Sequence, residues 1–426
     1  MAGVLSLRLI ASLRWQRAAA ILLPIAVTLF TVWRLWPLVD DVPLDGGDDW
    51  HFYKRLAVRI VDGGLSIPGF PSYRVVPHGF LYNYFVAGVF IVFGTNSAFV
   101  YVAQALLTGL TVSLFWLVAK HSGTITAGMT LLLCGAAVFL DFTNRLSLRL
   151  LSENVFLFLG AAVLWLVAEA LRRHSVPFSG MAGAALGLAV LSRTSMIAWA
   201  VALILLGVWA VARQQIRPAM WTAFTAAFAI AMCLLPLREY AAVGYSNFHA
   251  ITDGGDWIRP PAAVREWPEY YGRRLLFIAG ATSFLEPDYR ARPHWMAIWF
   301  GVAGYLVSRI TRRRSPTGAE ALVLLMVPLY LGPVWLVAGV SNYGGRMVAV
   351  AMPFAALLAA RWAGDYLGSA RFLRHDLTKE IGNQSEAEQH QRHRAADGED
   401  DQRRRAADPD GGRGQHQREH RRHAGD

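Results

Sequence analysis

Cysteine, lysine and charge of either sign are scarce in this chain, and each scarcity excludes something. Cys134 and Cys233 are the only cysteines in 426 residues, and each sits inside an apolar run. There they behave as small apolar residues, so neither a disulfide framework nor a cysteine-based metal site is expected. Lys54, Lys120 and Lys379 are the only lysines, which leaves the basic balance to arginine. Charged residues make up 17% of the chain, against about 25% in an ordinary soluble domain. Hydrophobic residues make up 54%. A cytosolic enzyme, a secreted disulfide scaffold and a DNA-binding domain are excluded, and no nucleic-acid partner is expected.

What is present divides into two materials. From His375 onward, 52 residues hold 10 Lys/Arg, 12 Asp/Glu and 6 of the 12 histidines, with almost no large apolar side chain. Residues 1–374 keep 31 Lys/Arg and 18 Asp/Glu, a net charge of +13 inside the whole-chain value of +11. The expected organisation is a membrane domain over 1–374 and a polar tail over 375–426, disordered on composition.

A membrane-crossing helix needs about 20 apolar residues. The candidate runs are 18–37, 97–119, 123–140, 154–171, 178–192, 195–212, 218–237, 294–311, 320–340 and 346–363. The first has no small-residue cleavage pattern and reads as a retained anchor. Residues 178–212 would span about 52 Å as one helix, too long for one crossing; Ser192-Arg193-Thr194-Ser195 divides them into two. Gly79–Phe93 is shorter, about 22 Å as a helix, and contains Tyr82, Asn83 and Tyr84. Parity decides its status. If it does not cross, Lys120, Arg172-Arg173, Arg213, Arg217, Arg312-Arg313-Arg314 and the tail all share the cytoplasmic side with the N-terminus, as the positive-inside rule requires. It is therefore expected to lie in the outer interface. The fold class expected is an all-α polytopic integral membrane protein, with about ten transmembrane helices and juxtamembrane helices in the first outer loop. Its place is the inner (plasma) membrane, among membrane lipids, with a cytoplasmic tail. Loops 38–78, 141–153, 238–293 and 341–346 fall outside.

Those outer loops hold the residues able to do chemistry. The first reads Asp40-Asp41-Val42-Pro43-Leu44-Asp45-Gly46-Gly47-Asp48-Asp49-Trp50-His51-Phe52-Tyr53. After Asp49 the period becomes helical: Trp50, Tyr53, Leu56, Ala57 and Ile60 share one side, with His51, Arg55 and Arg59 opposite, up to Gly63-Gly64. One reading makes Asp48 or Asp49 a helix cap. The other notes that a cap needs one acid where two stand, and that Asp49 precedes Tyr53 by one turn on the membrane-facing side. In the second loop, Asp141 and Glu153 balance Arg145 and Arg149; they read as ion pairs at helix ends or as oxygen ligands for a divalent cation. Arg193, Arg238 and Arg346 stand at outer helix mouths. Singly each is explained by interfacial anchoring; together they would make an anion site suited to phosphate. Arg346 follows Asn342-Tyr343-Gly344-Gly345, a backbone able to approach a ligand closely. Trp257, Trp267, Tyr270 and Tyr271 in the third loop would suit a lid over a sugar, although interfacial aromatics need no such reason.

At these residues the chain resembles the GT-C glycosyltransferases, polytopic enzymes that use polyprenyl-phosphate sugars and include protein O-mannosyltransferases and lipid A aminoarabinose transferases. Gly47-Asp48-Asp49-Trp50-His51-Phe52-Tyr53 with Ala57 and Gly63-Gly64 is similar to the family's acidic motif and first juxtamembrane helix. Tyr73–Gly94, with Pro77 and Phe93-Gly94, resembles the second such helix. Ser152-Glu153, Gly187-Leu188 through Leu191-Ser192-Arg193, Pro236-Leu237-Arg238-Glu239-Tyr240 and Gly345-Arg346 with Pro353 continue the match in order, over about residues 18–364. The resemblance implies inverting transfer of one sugar from a polyprenyl-phosphate donor to an acceptor hydroxyl in the cell envelope. It implies Asp49 as base, with Asp48 as neighbour or substitute, and Arg346, Arg238 and Arg193 as phosphate ligands. Tyr53, His78, Asp141 and Glu153 would line the acceptor side or support the base. The motifs name no cofactor with certainty; a divalent cation, if used, would take Asp49, Asp141 and Glu153. Two rival classes are a transporter or flippase for lipid-linked sugars and a non-catalytic assembly partner. A transporter should bury an acid at mid-span, and no run carries one.

Overall fold

A computed structural model describes residues 13–35, 49–64, 80–141, 152–193, 196–243, 264–279, 292–313, 316, 318–337 and 348–368. Among them the secondary structure is helical throughout: α1 Leu13–Leu35, α2 Asp49–Val61, α3 Phe80–Phe93, α4 Ser97–Ala119, α5 Thr124–Asp141, α6 Glu153–Arg173, α7 Val176–Ser192, α8 Ile197–Ala212, α9 Pro218–Val243, α10 Trp267–Ile278, α11 Pro293–Thr311, α12 Gly318–Val337 and α13 Val348–Gly368. The chain divides into two compact units, Met1–Asp365 and Tyr366–Asp426. The first unit holds α1 to α12 and nearly all of α13.

Each expected span coincides with a helix, and the shifts at the ends have local causes. The 178–212 run breaks where Arg193 turns to extended backbone, φ −157° and ψ 118°. Helix α9 runs through Pro236 to Val243, beyond the expected end at 237. Between α6 and α7, His174 takes the left-handed conformation and the Ser175 hydroxyl accepts from Phe178 N–H, with Pro177 in the first turn. Helices α4, α5, α6 and α13 are long and apolar enough to cross a bilayer.

The first unit exposes large apolar side chains as well as packing an apolar core, and buries several polar side chains. Ile21, Leu29 and Trp33 of α1, Ile230 of α9 and Phe300 and Ile310 of α11 are exposed, whereas Gln16, Gln104, Thr108, Glu153, Asn154 and Glu169 are buried. In hydrocarbon, apolar surface gains little by leaving lipid, so helices associate through close packing of small residues. Gly183 and Gly187 of α7 lie against Phe224 and Ala231 of α9, and Gly109 of α4 lies against the backbone of Pro24 in α1. Helix α13 fills the interior. The Phe354 ring meets Phe115 of α4 and Trp199 of α8, each at 5.0 Å between centroids. Cys134 donates to the carbonyl of Pro353 at 3.3 Å, and Gly301 and Gly304 of α11 admit Ala359 and Trp362.

Two ends result. One carries the C-termini of α5 and α7 and the N-termini of α6 and α11, hence Asp141, Arg193, Glu153 and Arg292. The other gathers Glu169 with Arg172, Arg173 and His121, and Glu320 with Tyr305, Arg309 and Arg361. A separate apolar cluster joins α2, α3 and α4 through Tyr53, Leu56, Tyr82, Val86, Phe90 and Tyr101, with Val155 of α6. It holds the juxtamembrane pair beside the first end.

Candidate active site

Helix α2 begins at Asp49 and ends in a Schellman turn. Gly63 is left-handed at φ 82°; Gly63 N–H donates to Ile60 O at 3.0 Å and Gly64 N–H to Arg59 O at 2.8 Å. Its buried face contains Tyr53, Leu56 and Ala57, as the helical period requires, and also Phe52 and Lys54. Lys54 was not expected there: at 4% exposure it is almost wholly withdrawn from solvent.

The Tyr53 ring meets Tyr82 of α3 edge-on at 4.8 Å, so the first turns of α2 and α3 come together. Helix α3 spans 14 residues, about 21 Å, short of a hydrocarbon core of about 30 Å. The Tyr82 hydroxyl donates to Gln104 Oε1 of α4 at 2.5 Å. Burial, with Tyr53, Tyr101 and Glu153 nearby, pushes its phenol well above the usual range, so Tyr82 stays a neutral donor. Deeper, the Thr108 hydroxyl donates to Asn154 Oδ1 at 3.1 Å. A polar seam thus runs from α3 through α4 to the head of α6, next to Glu153.

Glu153 is the first residue of α6, where a carboxylate meets the positive end of the helix dipole. Its Oε1 lies 2.9 Å from Arg193 Nη1. The break after Ser192, which frees the backbone at Arg193, is what lets that guanidinium turn toward Glu153. Asp141, the last residue of α5, is held by the head of α11. Trp295 Nε1 donates to its Oδ2 at 2.8 Å, His294 Nε2 stands 3.2 Å from its Oδ1 and Arg292 Nη1 stands 3.8 Å away. The Arg292 guanidinium lies over the Trp295 ring at 4.1 Å. This acid is shared among three side chains that sequence reasoning missed. One signal for them exists: Arg292-Pro293-His294 places basic residues at a helix N-terminus, where the dipole disfavours cations unless an acid comes from elsewhere.

Of the expected site residues, the structure brings Glu153 to Arg193 and sets Glu153 near Tyr82, which packs on Tyr53, while Asp141 joins a cluster of its own. Asp49 and Arg238 lie on α2 and α9, but their side chains are outside the described residues. Asp48, His78, Arg346 and the aromatic-rich segment around Trp257 are outside them altogether. Among the described residues no group of three His, Cys, Asp or Glu converges as a metal site.

Residues 77–237 match the family model described as dolichyl-phosphate-mannose-protein mannosyltransferase. Solved structures share the fold. ArnT from Cupriavidus metallidurans bound to undecaprenyl phosphate superposes with a TM-score of 0.52 at 15% identity, over 80% of this chain and 59% of that one. The oligosaccharyltransferase of Archaeoglobus fulgidus in its apo form superposes with a TM-score of 0.51 at 16% identity, over 86% of this chain and 52% of that one. The chain therefore spans between half and three fifths of the length of these relatives. A comparison with curated proteins finds no match. The chain shares the fold of these solved membrane proteins, the fold that the resemblance predicted.

Proposed function

We propose that this integral membrane protein transfers a monosaccharide from a polyprenyl-phosphate donor to an acceptor hydroxyl on the extracytoplasmic face of the inner membrane. The observation that carries the reading is the end of the GT-C fold at which α2 begins. There the Asp49 backbone lies one turn from Tyr53, whose ring packs on Tyr82 beside the Glu153–Arg193 pair. The named states of the structural relatives support a lipid-phosphate ligand, since ArnT was solved with undecaprenyl phosphate bound.

In the proposed step the acceptor oxygen attacks the anomeric carbon, the bond from that carbon to the phosphate oxygen breaks, and the sugar inverts. Asp49 accepts the hydroxyl proton, a role a carboxylate fills once it sits in a semi-enclosed site; Asp48 stands next to it as its substitute. The lipid phosphate leaves with growing negative charge, which Arg346, Arg238 and Arg193 stabilise by fixed charge-assisted hydrogen bonds. Arg193 is oriented for this by Glu153. Tyr53 and His78 border the acceptor, and Asp141 ties the head of α11 to the site. A divalent cation would draw its oxygen ligands from Asp49, Asp141 and Glu153. Glu153 already pairs with Arg193, and Asp141 with Arg292, His294 and Trp295, so neither carboxylate depends on a cation for its partners.

The test is transfer in membranes supplied with labelled polyprenyl-phosphate sugars. Asp49→Asn is expected to lower transfer by about 100-fold or more while Asp48→Asn lowers it less. Full activity in both variants contradicts the assignment of the base.

A further inference from the structure

Tyr82 of α3 is wholly buried, and its ring and its hydroxyl meet different helices. The ring meets Tyr53 of α2 edge-on at 4.8 Å, one turn after Asp49 begins that helix. The hydroxyl donates to Gln104 Oε1 of α4 at 2.5 Å. One turn further along α4, the Thr108 hydroxyl reaches Asn154 Oδ1 at 3.1 Å. Asn154 follows Glu153, which pairs with Arg193 at 2.9 Å. Gln104, Thr108 and Asn154 are all buried. These contacts run in series from the helix that carries the proposed base to the pair that includes a proposed phosphate ligand.

Apolar packing already joins α2, α3 and α4 with Val155 of α6, and a phenylalanine at 82 would fill the same space. Apolar attraction is non-directional, however, and leaves a short helix able to slide or turn against its neighbours. A hydrogen bond has a narrow range of distance and angle, so the bond from Tyr82 to Gln104 sets the height and rotation of α3 on α4. Through the ring contact, α3 in turn sets α2. We infer that Tyr82, with Gln104 as its acceptor, is a positioning residue. Its hydroxyl holds the head of α2, and with it Asp49, in register with the Glu153–Arg193 pair. Neither side chain needs to touch the sugar or the phosphate. The inference rests on the transferase reading, in which Asp49 takes the proton and Arg193 meets the leaving phosphate. Rate is sensitive to such spacing: a misplacement of about 1 Å can cost about 100-fold.

The experiment uses the full-length protein in membranes supplied with undecaprenyl phosphate bearing a labelled hexose or pentose. It measures kcat and donor KM for wild type, Tyr82→Phe, Gln104→Leu and the double variant, with the melting temperature of each solubilised protein. Each single variant should lower kcat about tenfold to 100-fold and leave KM within about twofold. Each should also melt lower, because it strands a buried polar partner, and the double variant should recover most of that loss, since replacing both partners by apolar groups is nearly neutral. Its kcat should stay low all the same. A bond that served stability alone would return activity together with the melting temperature. Wild-type kcat in Tyr82→Phe, a change confined to KM, or recovery of kcat in the double variant overturns the inference alone. A Tyr82→Phe protein that does not fold marks the hydroxyl as structural and overturns it as well. If wild type transfers neither sugar, the transferase reading fails and this inference with it.

Discussion

Glu153 occupies a nearly closed position at the first turn of α6, with Arg193 2.9 Å away. Breaking a buried pair from one side strands the other charge, which costs about 3–5 kcal/mol. Arg193→Met and Glu153→Gln should each lower the detergent-solubilised melting temperature, and the double variant should recover most of the loss. Additive losses in the cycle would mean that the two side chains do not form a unit. Both residues stand out in the sequence as charges beside apolar runs, but their pairing does not, because it joins the head of α6 to the break after α7. The same holds for Asp141, whose partners His294 and Trp295 come from a helix about 150 residues on. Lys54 was hidden differently: its position on the α2 wheel borders the apolar face, and only tertiary packing buries it.

At the scale of elements, the apolar runs and their breakers announced nearly every helix, since hydropathy records which segments must satisfy their own backbone in lipid. The partner of each helix was less legible. Gly180, Gly183 and Gly187 stand at the spacing of a close-packing seam, yet nothing in their order says that α9 lies against them. A Cβ at Gly183 would collide with the carbonyl oxygen of Phe224, whereas one at Gly88 of α3 would meet nothing within 4 Å. Gly183→Ala should therefore destabilise by about 1–3 kcal/mol or more. Gly88→Ala should be neutral or stabilising by up to about 1 kcal/mol. Thermal unfolding of the two variants side by side checks this, and equal melting temperatures would contradict the α7–α9 packing.

For the whole molecule, the scarcity of charge takes on a direction. Among the described residues the end where α2 begins holds Asp141, Glu153, Arg193 and Arg292, while the other end pairs Glu169 and Glu320 with Arg172, Arg173, Arg309 and Arg361. If α3 lies in the interface without crossing, a reporter fused after Val76 should face outward and one fused after Lys120 should face the cytoplasm. A cytoplasmic signal at Val76 would reverse every later helix. The loops expected to complete the site were legible as motifs only, because short polar segments between spans carry no periodicity from which a conformation can be read. The central claim is transfer from a lipid phosphate at the head of α2, and the most direct measurement is release of polyprenyl phosphate from a labelled donor by the purified protein. Wild type should release one lipid phosphate for each sugar transferred, and Asp49→Asn should bind the donor yet release almost none. Equal release by both proteins, or none by wild type with any donor sugar, would contradict it.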